Sequence, residues 1–189
     1  MQYMIFDHMS ACTEEEVARL KPVVSAQRRE YAMRYKHLFG QWAALKSYEM
    51  LTQMLNKAGC ENPAAGWLYT DPGKPYIKGG LCFSISHCLK GLAVIVDTEP
   101  VGIDIEQIRS YNPSLVERTM NEREQASIHN SEDPARTFIR LWTQKEAYLK
   151  WKGTGITEDL QNCLNNTRGC RFTTLEAPEY ICTLAESER

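Results

Sequence analysis

A run of six residues, Val101-Gly102-Ile103-Asp104-Ile105-Glu106, constrains this chain more than any other. Its alternation reads as a strand, with Val101, Ile103 and Ile105 turned to a core and Asp104 and Glu106 sharing the opposite face. Two carboxylates two apart on one strand face repel each other. Water tolerates that on an open surface. A shared hard cation makes it favourable, because Mg²⁺ takes oxygen ligands from one or two carboxylates together with substrate phosphates. Gly102, just before them, permits close approach of a ligand or of another backbone.

Two further strands precede this one. Leu81-Cys82-Phe83-Ser84-Ile85-Ser86-His87 alternates, with Phe83 and Ile85 on one face and Ser84 and Ser86 on the other. It is expected to end at His87, and strand ends are where loops carry function. Gly91-Leu92-Ala93-Val94-Ile95-Val96 follows as an apolar strand, and Glu99-Pro100 turns the chain. The start, Met1 to Asp7, reads as a short first strand and lacks the basic region and long apolar core of a secretory signal. Residues 170–175 and 180–184 alternate as a closing hairpin, and the chain is expected to fray from Glu186 onward.

Helices fill the rest. Thr13 with Glu16 three positions on is a capping-box pattern. A helical pattern covers residues 25–58, with Gly59 as its stop. Between Arg19 and Lys46 there are seven Lys/Arg and one acid, so this stretch is either a solvated basic face or an anion site. Residues 113–129 are helical with a polar restart at Met120 to Glu124, and 130–134 are a loop. A helix over about 135–151 has apolar residues at Phe138, Leu141, Trp142 and Leu149 and stops at Gly153. Glu146 and Lys150 lie four apart on it, so they are neighbours on one face, while Lys145 points elsewhere. The fold class is α+β, with two similar packed halves over residues 1–100 and 101–189.

Composition narrows the function. A 43% hydrophobic chain of 189 residues has ample material for a core, and a net charge of −2 argues against a general nucleic-acid binder. No apolar run approaches the ~20 residues of a membrane span. Seven scattered cysteines without a CxxC argue against a disulfide framework or zinc site and fit reduced thiols in the cytoplasm. If the 135–151 helix packs beside the 101–106 strand, Asp104, Glu106 and Glu146 converge on one cation. Lys150, Lys74, His87 and the basic stretch then supply phosphate partners. That kit suits chemistry on a diphosphate.

Gly73-Lys74-Pro75, Phe83 to His87, Val101 to Glu106 and Trp142-Thr143-Gln144-Lys145-Glu146-Ala147-Tyr148-Leu149-Lys150 occur in the order and spacing of the 4′-phosphopantetheinyl transferase superfamily. Over roughly residues 25–156 the chain resembles its longer, Sfp-type members, in which two similar α+β halves form a monomer. Ser84 stands where that family often has Asn, and the segment after Gly155 is shorter than in many of them. The resemblance implies transfer of the phosphopantetheine arm of coenzyme A to a serine of an acyl or peptidyl carrier protein, releasing adenosine 3′,5′-bisphosphate. It implies Asp104, Glu106 and Glu146 as Mg²⁺ ligands, Glu146 as base, and Lys150 on the diphosphate. Ser86 and His87 would hold phosphate oxygens, Gly73, Lys74 and Pro75 would line the nucleotide pocket, and Arg29, His37 and Lys46 are the candidates in the basic stretch. A Mg²⁺-dependent hydrolase of a nucleoside diphosphate derivative and a non-catalytic coenzyme A-binding module are the alternatives.

Overall fold

The computed structural model describes residues 1–60, 67–69, 75–77, 80–155 and 159–188. In chain order the elements are β1 (Gln2–Phe6), α1 (Glu14–Leu20), α2 (Ala26–Met33), α3 (Leu38–Lys57), β2 (Trp67–Tyr69), β3 (Pro75–Ile77), β4 (Cys82–Cys88) and β5 (Gly91–Asp97). They continue with β6 (Val101–Gln107), α4 (Pro113–Thr119), α5 (Glu122–His129), α6 (Pro134–Lys152), β7 (Cys170–Glu176) and β8 (Tyr180–Ser187). The chain is α+β, as its patterning implies. Gly73 and Lys74 lie outside the described residues, and Pro75 opens β3.

Two antiparallel sheets carry the fold, in the orders β1-β5-β4 and β6-β8-β7, beside a small β2-β3 pair. Each three-stranded sheet is built the same way. A strand leads into helices, and a hairpin follows whose last strand inserts between the other two. The long helices cover the outer faces. Trp42, Leu45, Leu51 and Leu55 of α3 share a core with Phe83, Leu92, Val94 and Val96. The inner faces meet through Ala93 and Ile95 on one side and Val101, Ile103, Ile105, Cys182 and Leu184 on the other. Ala147 and Tyr148 of α6 pack with Ala185.

Local chemistry explains the boundaries. Residues 25–58 form two helices rather than one. The Tyr35 ring lies where a side chain on Gly40 would stand, 2.6 Å from an ideal Cβ, and Gln41 Nε2 donates to the Tyr35 carbonyl at 2.9 Å. These contacts hold a break between α2 and α3. Thr13 caps α1 by accepting from the Glu16 N–H at 3.2 Å, but the Glu16 carboxylate turns to Arg19, and the reciprocal box forms instead at Asn121 and Glu124 of α5. Gly153 ends α6 in the left-handed region at φ +73°. Strand β4 continues one residue past His87, and β8 continues through Glu186 to Ser187 because that stretch pairs with Val101 and Cys170.

The serine face of β4 is not a solvent face. Ser84 and Ser86 are buried against β6. Ser84 Oγ accepts the N–H of Ile103 at 3.2 Å, and Lys150 Nζ donates to the Ile103 carbonyl at 3.1 Å. The outer edge of β6 is thus occupied by side chains at the residue before Asp104, which covers an otherwise unpaired strand edge.

Gly102 fixes how closely α6 lies on β6. A Cβ there would stand 2.0 Å from the Ala147 carbonyl oxygen and 2.6 Å from the Trp151 nitrogen. Both are helix backbone, so the helix itself would have to move. Gly102→Ala is expected to destabilise the protein by about 3 kcal/mol, at the upper end of overpacking costs, read from the urea midpoint. An unchanged midpoint would show that the close approach is not a constraint.

Candidate active site

Close packing at Gly102 and Ala147 sets the α6 residues on either side of Ala147 against the carboxylate face of β6. Asp104, only 3% exposed, is the centre. Its Oδ1 accepts from Ser86 Oγ at 2.7 Å and from Lys150 Nζ at 2.7 Å. Four elements of sequence logic therefore meet in one contact set: the strand with its carboxylates, the glycine before them, the Ser-His strand and the α6 lysine.

The other carboxylates stand close enough to feel this charge. Burial first, then Asp104, pushes the Glu106 carboxyl up to about 7; Arg109 and Lys150 oppose the rise and Glu146 adds to it. Burial and Asp104 also raise Glu146, against Lys150. Three acids crowd one low-dielectric region, and one lysine offsets much of their repulsion. Among the described residues, however, no group of three or more His, Cys, Asp or Glu side chains stands ready to enclose a metal ion. Asp104 is engaged by Lys150 and Ser86 instead.

The donor set still fits a hard cation. Asp104 Oδ2 and Glu146 Oε1 are buried without a hydrogen-bond partner. A buried acceptor left unmatched costs about 1–3 kcal/mol. Mg²⁺ coordinated by carboxylate oxygen would satisfy both atoms.

His87 lies at the rim with one face exposed. Its ring meets Phe39 edge-on at 6.1 Å. Desolvation of its inner side, followed by the charges of Lys150 and Arg28, lowers its pKa below the ordinary 6.5. Arg28 is the basic residue that the charge pattern of the sequence did not single out. It sits on the face of α2 that carries buried Ala32, four residues on. Its guanidinium donates twice to the Ala44 carbonyl, at 3.0 and 2.9 Å, and lies 4.7 Å from the Tyr31 ring centre. The i,i+4 spacing to Ala32 was the available signal.

The other basic candidates are placed elsewhere. Arg29, one position on, is exposed on another face of the same helix. Lys46 pairs with Glu49 at 2.6 Å and Glu16 at 3.6 Å, in a cluster with Arg19. Its charge is met by acids from α1 and from its own helix, which a local count over residues 19–46 omits. His37 is the residue preceding α3 and caps it without a side-chain hydrogen bond. Lys145 does point away from Glu146. It is fully buried, with Nζ 2.8 Å from Glu124 Oε2 and donating to the carbonyls of Leu160 and Gln161.

Beside the carboxylates opens a cleft of about 320 Å³ lined by Glu106, Arg109, Tyr111, Phe138 and Trp142 among others. The rings of Tyr111, Phe138 and Trp142 follow one another at 5.1 and 6.2 Å between centres. The cleft joins the charged centre to an apolar wall.

A sequence model of the 4′-phosphopantetheinyl transferase superfamily matches residues 100–188, which include Asp104, Glu106, Glu146 and Lys150. The 4′-phosphopantetheinyl transferase AcpT of Salmonella typhi is 31% identical over 136 residues, 65% of this chain and 69% of that protein. The chain belongs to the 4′-phosphopantetheinyl transferase superfamily. A 4′-phosphopantetheinyl transferase of Bacillus subtilis is 27% identical over 87% of this chain and 75% of its own, and the transferase Sfp of Bacillus subtilis strain 168 is 23% identical over 79% and 69%. In this transferase-family chain no helix among the described residues is long and apolar enough to cross a membrane.

The depressed pKa of His87 has a defined consequence for stability. Between its unfolded value near 6.5 and its lower folded value, the unfolded chain binds a proton that the folded site refuses. Stability contributed by neutral His87 is therefore complete above pH 6.5 and is lost as pH falls below it. His87→Gln is expected to lose less stability than the wild type between pH 7 and pH 5.5, read from chemical unfolding at each pH. Equal losses would show that His87 titrates normally.

Proposed function

We propose that this chain transfers the 4′-phosphopantetheine arm of coenzyme A to a serine hydroxyl of an acyl or peptidyl carrier protein in a Mg²⁺-dependent reaction. The observation that carries the reading is the pair of buried, unpartnered carboxylate oxygens on Asp104 and Glu146 beside the Lys150 ammonium. Family membership supports the reaction class.

Asp104, Glu106 and Glu146 would hold the ion. When bound, Mg²⁺ neutralises the diphosphate and the charge that develops on it. Lys150 binds a diphosphate oxygen and stabilises the departing adenosine phosphate. Glu146 accepts the proton of the carrier serine, directly or through water. Its raised pKa brings it closer to working pH and makes it a stronger base than an exposed glutamate. The serine oxygen attacks the phosphorus that bears the pantetheine arm. The bond from that phosphorus to the bridging oxygen breaks, and adenosine 3′,5′-bisphosphate leaves with the bridging oxygen.

Ser86 holds Asp104 in place through its 2.7 Å hydrogen bond and stands within the phosphate site. His87 and Arg28 form its cationic far side, where an anion would raise the imidazole pKa and charge it. Gly73, Lys74 and Pro75 are assigned to the nucleotide pocket by motif. Arg29 and Lys46 are not retained in it, because the one is exposed and the other is neutralised by Glu49 and Glu16. We read residues 1–100 and 101–189 as the two halves of a monomer working in the cytoplasm, with coenzyme A and a carrier protein as partners and neither a nucleic acid nor a membrane.

Incubating an apo carrier protein with the enzyme, coenzyme A and Mg²⁺ is expected to add about 340 Da, the mass of the transferred group, and chelation is expected to abolish the gain. Coenzyme A cleaved with the carrier unmodified would overturn the reading in favour of hydrolysis. Glu146→Gln is expected to lower the transfer rate at least ~100-fold, the scale of lost general-base catalysis, with the melting temperature unchanged. Near wild-type transfer would remove Glu146 from the role of base.

A further inference from the structure

The contact between Lys150 and Asp104 raises a problem for a cation site. Lys150 Nζ lies 2.7 Å from Asp104 Oδ1 and also holds the Ile103 carbonyl at 3.1 Å. The ammonium thus takes two oxygens of the same strand, on the carboxylate best placed to bind a metal. Asp104 is 3% exposed, so its charge is met by neighbours rather than by water. Lys150 is that neighbour, and its field also offsets part of the rise in the pKa values of Glu106 and Glu146. A divalent ion entering at Asp104 Oδ2 and Glu146 Oε1 would meet this positive charge across a single carboxylate, where repulsion is poorly screened. A diphosphate changes the balance, since it offers oxygens to both the ammonium and the metal ion.

We propose that Lys150 is the resident counter-charge of Asp104 in the free enzyme and yields that carboxylate to a divalent cation only when a diphosphate takes its ammonium. This rests on the assignment of Asp104 and Glu146 as cation holders made above. Lys150 then has two positions: on Asp104 and the Ile103 carbonyl in the free protein, and on the diphosphate in the loaded one. Metal ion and diphosphate bind with positive coupling, and each strengthens the other by the same factor. The arrangement keeps one counter-charge among three crowded carboxylates in the free protein and discourages a bare cation from filling the site without substrate.

The test measures Mn²⁺ binding, by the loss of free-ion paramagnetic resonance signal, to the wild type and to Lys150→Gln. Each is measured with and without coenzyme A in the absence of carrier protein, and Mn²⁺ with coenzyme A alone serves as the control. In the wild type, coenzyme A is expected to tighten Mn²⁺ binding about 10-fold or more, within the usual range of coupling between sites. Lys150→Gln is expected to bind Mn²⁺ alone about 10-fold more tightly than the wild type and to lose most of the tightening by coenzyme A. Its melting temperature is expected to rise on adding Mn²⁺ by more than that of the wild type.

If the wild type binds Mn²⁺ equally with and without coenzyme A, or if Lys150→Gln binds it no more tightly than the wild type, the exchange is overturned while the cation site stands. If neither protein binds Mn²⁺ even with coenzyme A, the assignment of the carboxylates fails and the exchange fails with it. The wild-type comparison can overturn the exchange even if Lys150→Gln does not fold.

Discussion

The molecule depends on the contact of α6 with β6, where a helix backbone lies on a strand with no side chain between them. Gly102 makes the contact, and Ala147 is the residue on the helix that matches it. The distance it sets is short enough for Lys150 to reach both Asp104 and the Ile103 carbonyl. Because the contact is backbone against glycine, it leaves little freedom for rotation or sliding. Glu146 and Lys150, one residue before and three after Ala147, are therefore placed on Asp104 by the same packing that builds the core. The cluster of acids around Asp104 and the packing of the second sheet are one structure.

The cost of gathering charge in that core is met locally. Asp104 would be expensive to bury alone, and it is held by a hydroxyl and an ammonium. Lys145 is fully buried and satisfied by Glu124 and two carbonyls of the 159–162 turn. Adjacent residues of α6 thus do opposite things. Lys145 is tied into a satisfied network that fastens α5 and the turn to the helix. Glu146 is left with an unmatched oxygen facing the acids of β6. The unmatched oxygens of Asp104 and Glu146 stand together at the site, where a ligand can meet them.

Much of this was legible in the chain. Alternation fixed the faces of β6, and the i,i+4 spacing put Glu146 beside Lys150, because both depend only on local backbone geometry. The break between α2 and α3 was not legible, since it rests on a ring packed over Gly40. That β6 buries the serines of β4 was not legible either, because small polar residues carry no sign of what covers them. Arg28 and Lys46 show the limit of counting charge. Arg28 lies on the inner face of its helix, whereas Lys46 is neutralised by Glu16, thirty residues earlier in the chain, and by Glu49.

By itself the sequence determined the α+β class, the strand and helix that carry the acids, and the family to which the chain belongs. Each of these is written in short-range periodicity and in the order of motifs. Only the tertiary structure decided that Gly102 serves a helix backbone, that Ser86 and Lys150 share one oxygen of Asp104, and that Arg28 rather than Arg29 faces His87. It also decided that the acids are crowded enough to shift one another's pKa values. Those outcomes depend on distances between residues far apart in the chain, and electrostatic and packing energies fall steeply over a few ångströms.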